Sequence, residues 1–291
     1  MCFQTELSLT YKQLENRFNA VFAPESDYRP GRFFAFDYPR MPVLSNRDPY
    51  TLHMMHWGLI PSWSKEEDIR KYTLNARSET VHEKPSFKYV TTQRCLVPAN
   101  GFYEWQWLDE KGKKKQRYVL TLPGGNAFGL AGLWNTWTNR VTGEVKDTFT
   151  ILTAKANALL ARIHNTKQRM PLVIRQGSEQ AWLEEGRMDT DNDRLQACRD
   201  PLLNIPGIGE SMAQDLRDLG IEYVADLSEK DPQQLYDRLC EIRGAKQDRC
   251  VLYAFQAAVY YAETNNPSPE KLKWWNWKNT NNEQTIFNTS Y

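Results

Sequence analysis

A cysteine stands second in this chain, directly behind the initiator methionine in "MCFQTELS". Cysteine is small enough at that position for the methionine to be trimmed during synthesis, which leaves Cys2 with a free α-amine and a thiol on adjacent carbons. No internal cysteine offers that pair. Unperturbed, the amine titrates near ~7.7–8.0 and the thiol near ~8.5, so at neutral pH each is nucleophilic or easily made so. A 1,2-aminothiol attacks carbonyls, or condenses with an aldehyde to an imine that the sulfur closes to a stable thiazolidine.

Three other stretches carry groups able to assist. In "TLNARSE", period-two alternation at the end of a strand puts Asn75 and Arg77 on one face and Leu74 and Ala76 on the other. An amide that can hold a reacting hydroxyl or amine then points with a guanidinium that can grip a phosphate; the alternative is a turn-forming Asn beside a solvated Arg. In "GFYEWQW" the same alternation sets Tyr103, Trp105 and Trp107 against Phe102, Glu104 and Gln106. Aromatic surroundings raise a carboxyl pKa towards neutrality and suit Glu104 to proton transfer; the alternative is a solvent-facing strand carboxylate. His164 follows the helical run "KANALLARI" and is expected at a helix C-terminus, where the dipole favours its charged form. It is either an acid/base beside the amine or a helix-end histidine with a satisfied hydrogen bond. His53, His56 and His82 show no ligand spacing, so no metal is assigned.

The elements that must position these residues read as α+β. "TYKQLENRFNAVF" places Tyr11, Leu14, Phe18 and Phe22 at helical spacing behind a Thr10/Gln13 capping box. Runs such as "RFFAF", "PVLSN", "LHMMHWGLI", "RCLVPANGFYEWQW", "QRYVLTL" and "DTFTILT" read as strands, with a helical stretch expected near "SETVHEKPSFKYV". "KANALLARIH" and "GSEQAWLEEG" read as helices, and "RMDTDNDR" has the composition of a linker. Beyond it the pattern becomes wholly helical. The expected division is 1–196, a β-rich domain with inserted helices; 200–263, a small all-α domain; and 264–291, a Trp/Asn-rich tail, partly disordered, whose "KLKWWNWK" aromatics either stack on bases or dock the tail onto the helices.

At 291 residues, 41% hydrophobic and 25% charged, the chain is an ordinary globular protein, and a formal net charge of +1 gives no global field for nucleic acid. Any such binding must come from a local patch. Five cysteines without C-x-x-C spacing argue against disulfide staples and structural zinc, and fit a reducing cytoplasm. Neither an export signal nor a membrane span is indicated.

In order along the chain, "MC", "WGLIPSW" (57–63), "NARSET" (75–80), "CLVPANGFYEW" (95–105) and "IHNTKQRMP" (163–171) closely resemble the SOS response-associated peptidase (SRAP) family of abasic-site processing proteins, over about the first 185 residues. The resemblance implies that Cys2 is the covalent nucleophile, that Asn75 positions the reacting sugar, and that Glu104 and His164 handle protons. It implies no cofactor. The substrate it implies is the ring-opened aldehyde of an abasic site in single-stranded DNA, with Trp63, Arg77, Trp105, Arg169, Met170 and Pro171 expected along the bound strand. The product would be a thiazolidine DNA–protein cross-link, with β-elimination as a side reaction and the peptidase label referring to removal of the protein's own methionine. Phe3 and Gln4 depart from the Gly-Arg pair that follows the cysteine in many members. The second domain resembles the helix-hairpin-helix proteins of the pathogenicity-locus type through "IPGIGESMAQDLRDLGI". There Gly207 and Gly209 form a tight turn whose backbone N–H groups can hold a phosphate oxygen, unless the domain recruits a protein partner. The alternatives to abasic-site capture are an N-terminal-cysteine peptidase or amidohydrolase, and a non-enzymatic helix-hairpin-helix DNA-binding module.

Overall fold

The computed structural model describes residues 2–264 and 266–278; the rest of the tail, 279–291, lies outside the described residues, as does Met1. The chain divides into two compact units, Met1–Cys198 and Arg199–Tyr291.

The first unit runs β1 (Gln4–Leu7), α1 (Tyr11–Phe18), β2 (Val21–Phe22), β3 (Gly31–Phe34), β4 (Arg40–Ser45), β5 (Asp48–Trp57), β6 (Asn75–Arg77), β7 (Arg94–Ala99), β8 (Gly101–Trp107), β9 (Lys115–Thr121), β10 (Phe128–Thr138), β11 (Val145–Lys155), α2 (Ala158–Ile163), β12 (Arg169–Pro171), β13 (Val173–Ile174), α3 (Glu179–Glu185) and β14 (Gln196–Arg199). One sheet has the order β12-β11-β10-β7-β4-β5-β2, and β5 also pairs in parallel with β11 through Thr148↔His56 and Phe149↔Trp57. That last pairing closes β11-β10-β7-β4-β5 into a barrel and so removes the exposed edges an open sheet would leave. Trp57 stacks on Phe149 inside it, ring centroids 5.9 Å apart. The second sheet, β14-β9-β8-β1-β3, is antiparallel where β1 pairs with β3 and β8, and where β8 pairs with β9.

The Thr10/Gln13 capping box is formed as expected, and Asn19 closes α1 in a left-handed conformation. Strand β10 is almost wholly buried, so it lacks the polar alternation by which half-buried strands are read. Gly132 within it lies where a Cβ would stand 2.6 Å from the Thr150 carbonyl oxygen and 2.8 Å from Cys95 Sγ. Gly132→Ala is therefore expected to cost on the order of 1–3 kcal/mol of unfolding free energy by overpacking, measured as a shift in urea midpoint. An unchanged midpoint would mean that the barrel wall yields at no cost.

Two expectations need correction. The "SETVHEKPSFKYV" stretch is a series of turns, in which bonds such as Phe87 N–H to Lys84 O never propagate. Pro85 has no N–H and disfavours helical geometry at Lys84, while Val81, Phe87 and Val90 still anchor the segment in the core. "RMDTDNDR" is not a free linker. Asp191 and Asn192 are buried, and the Asn192 amide donates to the Pro171 carbonyl at 2.8 Å and accepts from Val173 N–H at 3.1 Å. Asn192 thus serves backbone groups while Asp191 pairs with Arg175 and Arg194, after which β14 joins the second sheet.

The second unit is α4 (Glu210–Asp218), α5 (Pro232–Arg243) and α6 (Arg249–Glu263) around a core of Leu202, Leu216, Leu239 and Phe255. Gly207, at φ 84°, makes the turn that leads into α4, and Gly209 is its N-cap, without a side-chain cap bond. Among the described residues no helix is long and apolar enough to cross a membrane.

Candidate active site

Strand β1 lies between β8 and β3, in register through Thr5↔Phe102 and Gln4↔Phe34. Cys2, two residues ahead of the strand, is thereby carried to where β8, the start of β6 and the C-terminus of α2 meet. There Cys2 is fully buried, and the side-chain amide of Asn75 donates to the Cys2 carbonyl at 2.8 Å. The same side chain's buried Oδ1 has no hydrogen-bond partner among the described residues. An acceptor left so is costly unless a donor arrives, which suits it to hold an amine or a sugar hydroxyl. Asn75 is placed by the parallel pairing of β6 with β11, Ile151↔Asn75, with Ala76 buried on the opposite face and Arg77 exposed.

Glu104 is 3% exposed on β8, and burial pushes its carboxyl up to about 7. The negative charge it carries when ionised adds to burial in raising the Cys2 thiol far above the ordinary range. The thiol is therefore neutral at rest, and the site is not built to hold a standing thiolate.

Helix α2 is capped at its N-terminus by Asn157, whose Oδ1 accepts from Leu160 N–H at 3.0 Å. Its far end is tied to β8 by Asn165, which accepts from Trp107 N–H at 3.1 Å and donates to the Trp107 carbonyl at 2.9 Å. His164 is the C-cap, buried, with Nδ1 3.0 Å from the Arg169 carbonyl and 3.9 Å from Glu104 Oε2. The carbonyl accepts only, so this shorter contact calls for the proton on Nδ1, while the Arg169 N–H, 3.4 Å from the same nitrogen, would donate to it in the other tautomer. The expectation that the helix dipole keeps this imidazole charged fails: burial lowers its pKa to about 4, because a six-residue helix offers less than desolvation takes away.

A cleft of about 270 Å³ opens on Glu104 and His164, walled by Phe3, Trp105, Trp107, Lys115, Thr166 and Lys167. Trp105 thus falls at the site. Sequence reasoning missed Phe3, Lys115 and Lys167 as wall residues, although "KKKQR" and "NTKQRMP" placed lysines next to the motifs. Trp63 is 47% exposed, its indole N–H donating to the Pro85 carbonyl at 3.2 Å. Arg169, expected along the DNA, turns inward: it is buried, forks onto Glu79 at 2.7 and 2.9 Å, and donates to the Thr153 carbonyl at 2.6 Å. This contact drops the Glu79 carboxyl to about 2. Met170 is half-buried, its sulfur accepting from Asn157 N–H at 3.4 Å, and Pro171 is buried on β12. Arg169 through Pro171 therefore shape the His164 loop from behind. Among the described residues no group of three His, Cys, Asp or Glu is arranged to hold a metal ion.

In the second unit, "KLKWWNWK" docks on the helical domain. Trp277 lies 5.9 Å from Tyr260, and Trp274 stands 3.5 Å from where a Cβ on Gly207 would be. Nothing stands within 4 Å of a Cβ built on Gly209.

A closed barrel and a companion sheet thus bury the second residue, a cysteine, against an amide, a near-neutral carboxyl and an imidazole that burial keeps uncharged. The family model for SOS response associated peptidase (SRAP) matches residues 1–206, and that for the pathogenicity locus (Cdd1) matches residues 196–283. The chain belongs to the SRAP family and carries a Cdd1 domain after it. Abasic site processing protein YoqW of Bacillus subtilis is 37% identical over 203 residues, 69% of this chain and 87% of that one. Abasic site processing protein HMCES of Gallus gallus is 34% identical over 161 residues, 47% of this chain and 46% of its own. A Bacteroides thetaiotaomicron protein of known crystal structure superposes with a TM-score of 0.61 at 30% identity, covering 70% of this chain and 94% of that one.

Proposed function

We propose that this protein processes abasic sites by condensing Cys2 with the ring-opened sugar aldehyde in single-stranded DNA, as a cytoplasmic DNA-damage protein. The reading is supported by relatives named for abasic-site processing. The observation that carries it is the Asn75 amide holding the Cys2 main chain beside a buried carboxyl poised at about 7.

Once Met1 is removed, the α-amine of Cys2 attacks C1′ and forms a carbinolamine. Protonated Glu104 delivers a proton to its hydroxyl and water leaves, giving the imine in its protonated form. Sγ then adds to the imine carbon and the thiol proton passes to the carboxylate that Glu104 has become, so one water is lost overall and no cofactor takes part. Neutral His164 stands beside that carboxyl, its Nδ1 3.9 Å from Glu104 Oε2, and helps to set where its proton lies. A resting thiol is no obstacle here, because the amine attacks first; an amide hydrolase working through a cysteine thiolate would need the thiol pKa lowered instead. Elimination of the 3′ phosphate from the imine is a side activity of the same site.

The test is incubation with abasic single-stranded DNA, denaturing electrophoresis, and intact mass of the free protein. A heat-stable adduct on protein that begins at Cys2 is expected. Active protein that retains Met1 on most molecules overturns the mechanism.

In the helical domain, the reading is that the "PGIG" turn adds sequence-independent phosphate contacts. Gly209 is the clean probe: its φ of −92° suits any residue and a side chain there meets no neighbour, whereas Gly207 is held at positive φ. Gly209→Val is expected to weaken binding to single-stranded DNA at every salt concentration while leaving the slope near that of wild type, because uncharged backbone N–H groups release few counterions. A salt titration showing identical lines for variant and wild type would point to a protein partner for this domain.

A further inference from the structure

We infer that Phe3, Phe34 and Phe36 form a stacking platform for the nucleobases beside the captured sugar. The inference rests on the reading of single-stranded DNA as substrate. Phe3 is a wall of the cleft that opens on Glu104 and His164. Its ring lies 4.9 Å from that of Phe36, inclined at 42°, and the Phe36 ring lies 5.4 Å from that of Phe34, inclined at 51°. The three rings thus lead out of the cleft onto the surface, where Phe34 is 43% and Phe36 47% exposed.

Exposed aromatics set side by side at the mouth of a cleft form an apolar patch of the kind that marks a contact surface. The backbone beneath is rigid. Phe34 ends β3, paired with Gln4 of β1; Phe36 sits in the single 3₁₀ turn Ala35–Asp37, which Tyr38 closes at φ 50°. That turn is tied to the N-terminal segment by Ala35 N–H donating to the Phe3 carbonyl at 2.8 Å. The rings are therefore held in place before any ligand arrives. Because they are tilted rather than stacked flat, part of their faces stays available. Lys115 and Lys167 line the same cleft, so a strand whose phosphates follow the lysines can turn its bases to the apolar wall. A flat, weakly polar face that accepts any base suits damage that arises in every sequence context. The continuity of the patch with the cleft commits it to the strand being processed.

The test uses full-length protein and two oligonucleotides carrying a tetrahydrofuran abasic analogue, which has no aldehyde and cannot be captured. One is flanked by purines on both sides, the other by further base-free sugars. The Phe34→Ala/Phe36→Ala double variant is expected to bind the purine-flanked strand on the order of tenfold more weakly than wild type, and the base-free strand equally well. The Phe34→Leu/Phe36→Leu variant, which keeps apolar bulk but lacks a π-face, is expected to behave like the alanine variant. Equal binding of the purine-flanked strand by wild type and variants overturns the inference. So does a loss of the same size on both strands, which would assign the rings to the fold or to backbone contact. Capture of an aldehyde-bearing strand is scored separately: wild type that forms no adduct refutes the reading of the chemistry, whereas the comparison of the two analogues reports on the platform alone.

Discussion

Cys2→Ala is expected to leave no heat-stable adduct with abasic DNA, and Cys2→Ser no more than an imine that borohydride traps and hydrolysis reverses. The difference isolates the two halves of the aminothiol. Both variants keep an α-amine at residue 2, so both can form the carbinolamine and, with Glu104 in place, lose water. Only sulfur, a far better nucleophile than a hydroxyl at neutral pH, closes a durable five-membered ring on the imine carbon. The burial of Cys2 makes this a demanding comparison, because a serine there must bring a hydroxyl into the space that the thiol fills. Intact Tm for both variants, read alongside denaturing electrophoresis with and without borohydride, separates chemistry from folding. Undiminished heat-stable adduct from either variant would sink the thiazolidine mechanism.

The placement of the candidate groups was legible in the sequence where local pattern fixes it. Alternation in "NARSE" sets Asn75 opposite Ala76, and this is how β6 presents them; the helical run before His164 makes it a cap. What pattern could not supply is burial. The charge state of His164 depends on how much of α2 and β12 closes over it, and that long-range fact reverses the local dipole argument. The surroundings of Arg169 are hidden for the same reason: an arginine inside "QRMP" looks wholly solvated, whereas its fork meets Glu79, ninety residues earlier. Strand β10 hides in the same way, since a strand buried on both faces shows no alternation. Barrel closure through the parallel β5–β11 pairing likewise has no local signature, being a contact between residues nearly a hundred positions apart.

Glu104→Gln and His164→Ala are each expected to slow capture on the order of 10²–10⁴-fold while leaving affinity for intact single-stranded DNA near that of wild type. Their pH profiles should differ. In wild type, capture needs the Cys2 amine unprotonated and Glu104 protonated, so the rate falls on the acid side as the amine takes up its proton and on the alkaline side as Glu104 loses its own, near pH 7. Glu104→Gln removes the alkaline limb along with the rate; His164→Ala keeps it. Stability follows with opposite signs. The raised Glu104 carboxyl favours the folded state when protonated, a contribution present below its ordinary value near ~4.3 and lost as pH rises through about 7. The depressed His164 favours the folded state when neutral, a contribution present above its ordinary value near ~6.5 and lost as pH falls through about 4. Urea midpoints across pH 4–8 should therefore show Glu104→Gln gaining on wild type towards the alkaline end, and His164→Ala gaining towards the acid end. Equal losses of capture rate and of affinity for intact DNA, with no change in the shape of either profile, would recast both residues as parts of the scaffold and leave the α-amine of Cys2 to work without an acid.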